Sequence, residues 1–173
     1  AVRRRYWPVV TLVTIGITFV IFGLQNLAGG STSTEVLLDF GAAYRPYFQQ
    51  GQYWRLVMPI FLHIGWPHIL LNMYALYILG PMLERVYGYG RFAFIYIGAG
   101  MASSYLSMRM SPDISVGASG AISGVVLLYA LNFPRRTILF MFVIPMPTWL
   151  MGVIFVGLDV LGATGHGDPN VAY

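Results

Sequence analysis

No charged residue interrupts residues 8–27, and a helix of about 20 apolar residues crosses the hydrocarbon core of a bilayer. Four further apolar segments follow, at about 66–87, 92–110, 116–133 and 147–163. These runs constrain the fold more than any motif does. Backbone polar groups in hydrocarbon must be satisfied within the chain, so segments of this kind fold as helices packed side by side. Soluble domains carry about 25% charged residues, whereas this chain of 173 residues is 9% charged and 57% hydrophobic. It reads as an all-α, polytopic transmembrane helical bundle forming one domain over 1–173. The first run is too long for a secretory signal peptide and lacks a small-residue cleavage site before a polar mature region.

The fourth segment is short, and the fifth is set by its prolines. The apolar run 137–162 is interrupted by Pro145 and Pro147. Proline removes a backbone donor and disfavours helix in the residue before it, but it suits the first helical turn. Residues 137–146 are therefore expected along the membrane surface, with the fifth span beginning at 147 and Trp149 at an interface, where tryptophan is common.

All ten basic residues are arginine, and their placement orients the chain. With the N-terminus inside, Arg3, Arg4, Arg5, Arg85, Arg91, Arg135 and Arg136 fall on one side, and Arg45, Arg55 and Arg109 on the other. That bias satisfies the positive-inside rule, so the arginine excess argues for topology and against nucleic-acid binding. The expected setting is a bacterial cytoplasmic membrane with the N-terminus cytoplasmic. Residues 28–63 then form an outer loop, and its Leu37, Phe40, Tyr44, Phe48, Tyr53 and Trp54 make it too apolar for disorder. A partly embedded or membrane-capping structure is expected there. The absence of cysteine excludes disulfides, thiolate metal sites and a cysteine nucleophile. The chain opens on Ala1 rather than Met, as a trimmed or processed chain would, and residues 171–173 read as the opening of a sixth span.

Polar groups at bilayer depth are costly and often functional. Residues 117–124 read Gly-Ala-Ser-Gly-Ala-Ile-Ser-Gly and open the fourth span. Ser119 stands where the first backbone N–H groups lack partners and the helix dipole favours negative charge. An oxyanion formed by its attack on a carbonyl could use the Ser119 N–H. At the same outer level, His68 and Asn72 share a helical face at i, i+4, and His63 lies five residues upstream. Taken singly, each of these groups has a plain packing role. Gly120 and Gly124 form a small-xxx-small helix contact, and His63, His68 and Asn72 can serve as interhelical hydrogen-bonding groups. Their coincidence on one side favours a reactive site. Glu84 and Arg85 suit an interhelical hydrogen bond or ion pair, Asp159 a loop cap or a bond to a neighbour, and His166, beside Asp168, a solvated turn.

These motifs resemble the rhomboid intramembrane serine proteases over about residues 45–173. The resemblance rests on Trp54-Arg55, His63, His68-x-x-x-Asn72, Gly80-x-x-x-Glu84-x-x-x-Gly88 and Gly117-x-Ser119-Gly120. It implies a six-helix core, of which five spans are present here, with a short central fourth span carrying the nucleophile. Ser119 would be that nucleophile, and His68, Asn72 and the Ser119 backbone would bind the oxyanion. Trp54 and Arg55 would belong to the outer loop, Gly117 would allow close backbone approach, and Gly120 and His63 would support the site. The implied activity is cleavage of transmembrane segments of other membrane proteins, entering sideways from the bilayer, with no cofactor or metal.

The sequence departs from the family at one point. A serine hydroxyl needs an adjacent base, which in rhomboids is a histidine within Ala-His-x-x-Gly of the sixth span, and that motif is absent here. The base is expected just beyond Tyr173, and the chain alone is expected to be inactive. The alternative is a non-catalytic rhomboid-like protein that binds membrane proteins or directs their trafficking. Paired intramembrane acids and inverted repeats, the marks of a transporter, are not evident.

Overall fold

A computed structural model of the protein describes residues 6–140 and 143–163. Helix α1 (Val9–Leu27) begins directly after Pro8. Its first turn is capped from across the bundle. The Glu84 carboxyl accepts the Val10 N–H at 2.9 Å, the Thr11 N–H at 2.8 Å and the Thr11 hydroxyl at 2.7 Å. An acidic group at a helix N-terminus satisfies orphan donors and opposes the dipole. Glu84 lies on α4 (Gly65–Tyr87), and Gly80, one turn earlier, lets the two backbones close, since a Cβ there would stand 2.7 Å from Thr11 Oγ1. Both α1 and α4 are long and apolar enough to cross a membrane.

Residues 28–63 form a folded cap. Helix α2 (Thr34–Phe40) starts at Ser33, whose hydroxyl accepts the Val36 N–H, and stops at Gly41, whose φ of +102° places it in the left-handed region. Helix α3 (Arg45–Gln49) and two 3-10 turns, Tyr53–Leu56 and Met58–Phe61, complete it. Arg55, 4% exposed, is the hub. Its guanidinium donates to Gln52 Oε1 at 2.7 Å and to the Leu38 and Ala42 carbonyls at 2.9 and 3.0 Å, and it lies over the Tyr47 and Trp54 rings. Burial lowers its pKa from the ordinary arginine value. Arg45 donates to the Met108 and Arg109 carbonyls, capping the C-terminus of α5 (Tyr89–Met110), where a cation is favoured.

Helix α6 (Ser119–Asn132) is the centre of the bundle, packed on α4, α5 and α7 (Thr148–Ala163). Its Ile122, Val125, Val126 and Tyr129 join Ile69, Leu76, Leu79 and Leu83 of α4 and Phe92 and Tyr96 of α5 in one core. Small residues make the close crossings. Gly120 abuts Ser103 of α5, and a Cβ on Gly124 would lie 2.8 Å from Ala99. The small-xxx-small contact read from the sequence is thus present.

Three helix starts and one segment differ from expectation. The fourth helix begins at Ser119 rather than 116, because Gly117 adopts φ +115°. The third begins at Tyr89 rather than 92, immediately after Gly88 at φ +79°. Residues 137–146 were expected as a surface-lying stretch of an all-α protein, but the described residues of that stretch enter a β-hairpin. Strands β1 (Thr137–Phe140) and β2 (Ile144–Pro147) pair antiparallel, with Ile138 opposite Met146. The prolines that exclude helix are tolerated in an edge strand. Helix α7 starts at Thr148, one residue later than expected.

Candidate functional site

The site forms where three segments meet: the start of α4, the turn before α6, and the second 3-10 turn of the cap. The turn before α6 is fixed first. Ala43 and Ser115 exchange backbone hydrogen bonds of 2.9 Å, and the Gly117 N–H donates to the Pro59 carbonyl at 2.8 Å. Gly117 then turns the chain in a conformation that favours glycine, so that the helix opens at Ser119. Ala118 is fully buried, and among the described residues no side chain caps this helix end. The unpaired first-turn N–H groups and the Ser119 side chain share one location.

His68 closes on that turn from α4. A Cβ at Gly117 would meet His68 Cε1 at 2.6 Å and Nε2 at 2.8 Å, so the imidazole rests on the Gly117 backbone itself. Asn72 lies one turn further along the same face of α4 and is 8% exposed. Its Nδ2 is buried with no hydrogen-bond partner among the described residues. A buried amide donor without a partner costs about 1–3 kcal/mol, and among the described residues Asn72 shares this state with Tyr6, Gln25 and Tyr96.

His63 has a different role from His68. It is fully buried, with its ring 5.0 Å from that of His68. Nδ1 lies 3.4 Å from the Phe61 carbonyl, and Nε2 accepts the Ala118 N–H at 3.4 Å. Both nitrogens are engaged, which fixes a neutral tautomer with the proton on Nδ1. Burial, reinforced by the neighbouring His68, pushes its pKa down to about 3. His63 therefore positions the turn before Ser119. Trp54 and Arg55 lie in the cap and not among these groups: Trp54 covers Gly41, and Arg55 ties the cap together. Gly120 serves the α5–α6 crossing. His166 lies outside the described residues, as does the Asp159 side chain.

Sequence reasoning missed two supports. Gln25 on α1 is fully buried and accepts the His63 N–H through Oε1 at 3.4 Å. Ser31 accepts the Gly65 N–H at 3.3 Å, where α4 begins. A glutamine inside an apolar run was the available signal for the first. For the second, nothing in the sequence links residue 31 to residue 65. Among the described residues, no three His, Asp or Glu side chains cluster to hold a metal ion.

Comparison with known proteins gives a consistent picture. The Rhomboid domain family model matches residues 50–173. The chain is 41% identical over 172 residues to the rhomboid protease GluP of Bacillus subtilis, covering 98% of this chain and 33% of that protein. It is 33% identical over 129 residues to the putative rhomboid protease YdcA of the same organism, covering 72% of this chain and 62% of the other. RHOMBOID-like protein 9, chloroplastic, of Arabidopsis thaliana is 34% identical over 120 residues, 67% of this chain and 27% of its own length. The chain thus spans a third to under two thirds of the length of its first two relatives.

Proposed function

The chain belongs to the rhomboid family, and on that premise we propose that it is the membrane-embedded part of an intramembrane serine peptidase whose nucleophile is Ser119. In this reading α1, α4, α5, α6 and α7 are five spans of a single domain. The N-terminus is cytoplasmic, and the site opens to the outer face of a bacterial cytoplasmic membrane. The seven-to-three arginine asymmetry supports that orientation. The substrates are transmembrane segments of other membrane proteins, and the chemistry needs no cofactor.

The observation that carries the reading is the buried, unpartnered Nδ2 of Asn72, one turn from a histidine that rests on the backbone two residues before Ser119. Attack by Ser119 Oγ on a scissile carbonyl places negative charge on the carbonyl oxygen. Asn72 Nδ2, the Ser119 N–H at the start of α6, and one ring N–H of His68 are the donors available to that oxygen. A donor fixed in advance in a water-poor site strengthens as the charge develops and needs no reorganisation, and one such donor contributes about 10²–10³ in kcat. The proton leaving Ser119 needs an acceptor, and His63 does not provide it, because both its nitrogens are committed to the backbone. The resemblance to rhomboid proteases implies a histidine as that acceptor, and none of the described residues is assigned to the role. The base then returns the proton to the leaving amine, and water hydrolyses the acyl-enzyme.

The test is cleavage of a transmembrane reporter substrate by the full-length protein in lipid nanodiscs. Ser119→Ala should abolish cleavage and labelling by a fluorophosphonate. Cleavage that survives the substitution rules out the nucleophile, and a full-length protein with neither activity supports the non-catalytic alternative.

A further inference from the structure

Between α6 and β1, the consecutive residues Phe133, Pro134, Arg135 and Arg136 line a cleft of about 520 Å³ that the chemistry above does not use. Its volume falls within the range of small-ligand sites, roughly 300–1,000 Å³. The turn that builds it is pinned from behind. The Phe133 carbonyl accepts the Arg136 N–H at 3.1 Å and also the Thr148 hydroxyl. The Pro134 carbonyl accepts the Trp149 N–H at 3.3 Å, and the Arg136 carbonyl accepts the Thr148 N–H at 2.9 Å. These carbonyls are committed to the turn itself and to the first residues of α7. The charged groups left at the cleft are two guanidinium groups.

Both arginines are exposed, and among the described residues neither has a carboxylate partner. The Arg136 guanidinium lies over the Phe133 ring, 5.1 Å from its centroid, a contact that holds a cation in place without neutralising it. The acids that could compensate these charges are used or lie elsewhere. Glu84 is fully buried and holds the first turn of α1. Glu35 and Asp39 belong to the cap, and Asp113 follows the far end of α5. Asn132 Nδ2 donates to the Tyr87 hydroxyl at 2.8 Å and ties the end of α6 to the end of α4. Exposed Arg85 and Arg91 therefore stand at the same end of the bundle and add to its positive field.

Apolar surface continues from the cleft along both helices. Leu127 and Leu131 share one face of α6 and are 41% and 71% exposed, and Trp149 and Val153 share one face of α7 at 53% and 62%. Fixed cations beside exposed apolar stripes match a phosphate head joined to acyl chains. A free phosphate or a nucleic acid would leave the stripes unused. We propose that this cleft binds one anionic phospholipid from the leaflet that this end of the bundle faces. Its phosphate sits on Arg135 and Arg136, whose planar forks pair with phosphate oxygens, and its acyl chains lie along α6 and α7. Such a site requires that these helices span the bilayer and is independent of the chemistry at Ser119.

The test is lipid binding to the full-length protein in mixed micelles, counted by native mass spectrometry. Dioleoylphosphatidylglycerol should bind about tenfold more tightly than dioleoylphosphatidylcholine, as expected for a basic pocket that selects an anionic headgroup. Arg135→Gln with Arg136→Gln should weaken phosphatidylglycerol binding by about 30-fold, each arginine being worth about fivefold to sixfold. Arg85→Gln with Arg91→Gln removes the same charge outside the cleft and should weaken binding by less than about threefold, because distant exposed charges are screened. Phe133→Leu keeps every charge and should weaken binding by about two- to fivefold, the worth of an exposed cation–π contact. Equal losses in the two arginine pairs overturn the site in favour of a general surface potential. Phosphatidylglycerol bound no better than phosphatidylcholine overturns it, as does a Phe133→Leu protein that binds like the parent. Displacement of the lipid by glycerol 1-phosphate at the lipid's own dissociation constant would make the ligand a soluble phosphate and overturn the lipid assignment. Release of the full-length protein from membranes by alkaline carbonate would instead bring down the transmembrane reading.

Discussion

Replacing Gly117 by alanine tests the site at its tightest contact. Two costs arise and can be separated. At φ +115° a non-glycine residue carries about 1–3 kcal/mol of backbone strain, which lowers stability. The added Cβ would also stand 2.6 Å from His68 Cε1, where ordinary contact begins at 3.4 Å, so the ring must retreat by the difference, 0.8 Å. A misplacement of about 1 Å at a reacting centre costs roughly 10²-fold in rate, so Gly117→Ala should lose about 30- to 100-fold in kcat/KM, or about 2–3 kcal/mol of transition-state stabilisation. Gly51→Ala is the matched control, because Gly51 has φ +92° and nothing within 4 Å of an added Cβ. It should lose stability of similar size with its activity per folded molecule unchanged. Both variants would be assayed in full-length protein by cleavage of a transmembrane substrate in nanodiscs, normalised to the folded fraction. Equal activity per folded molecule in the two variants would refute the contact argument, because backbone strain would then be the whole effect.

Three further outcomes are expected. Glu84→Gln replaces an acceptor facing the Thr11 N–H and hydroxyl with a donor, and should cost about 2–3 kcal/mol in unfolding by detergent titration, the worth of a hydrogen bond to a charged group. A variant as stable as the parent would show that α1 is not held through this cap. Arg55→Lys keeps the charge but cannot reach Gln52, Leu38 and Ala42 together, so limited proteolysis within residues 28–63 should accelerate while the helices stay protected. An unchanged cleavage pattern there would remove Arg55 as the hub. His63 has a pKa of about 3 when folded, against 6.5 for an ordinary, solvated histidine. Its contribution to stability is therefore complete above pH 6.5 and is lost as pH falls toward 3, at about 1.4 kcal/mol per pH unit, or about 2 kcal/mol by pH 5. The loss between pH 7 and pH 5, followed by circular dichroism in micelles, should be smaller by that amount in His63→Gln. Identical pH slopes would contradict the burial argument.

Much of the cap and the hairpin was invisible in the sequence for a physical reason. Apolar periodicity reports which segments leave water, and it located the helices well because a span must satisfy its own backbone. The cap satisfies its backbone through partners far apart in the chain. Arg45 reaches residues 108 and 109, Ala43 pairs with Ser115, and Gln25 meets His63. No local pattern encodes such pairings. The hairpin was missed because two prolines exclude helix without saying what replaces it. The outcome was decided by the Ile138–Met146 rung finding a place on the core.

The sequence by itself determined that this chain belongs in a bilayer as packed helices, and which polar residues stand out in them. The motif Gly117-x-Ser119-Gly120 and the i, i+4 pair His68 and Asn72 were legible because spacing alone places residues on one helical face. Only the tertiary structure distinguished the surroundings of His63 from those of His68. His63 and His68 are five residues apart and chemically identical, yet one is held by two backbone groups and the other lies on the glycine before the serine. Burial and hydrogen-bond partners set a histidine's proton affinity and its freedom to act, and the partner that commits His63 lies 55 positions away in the chain.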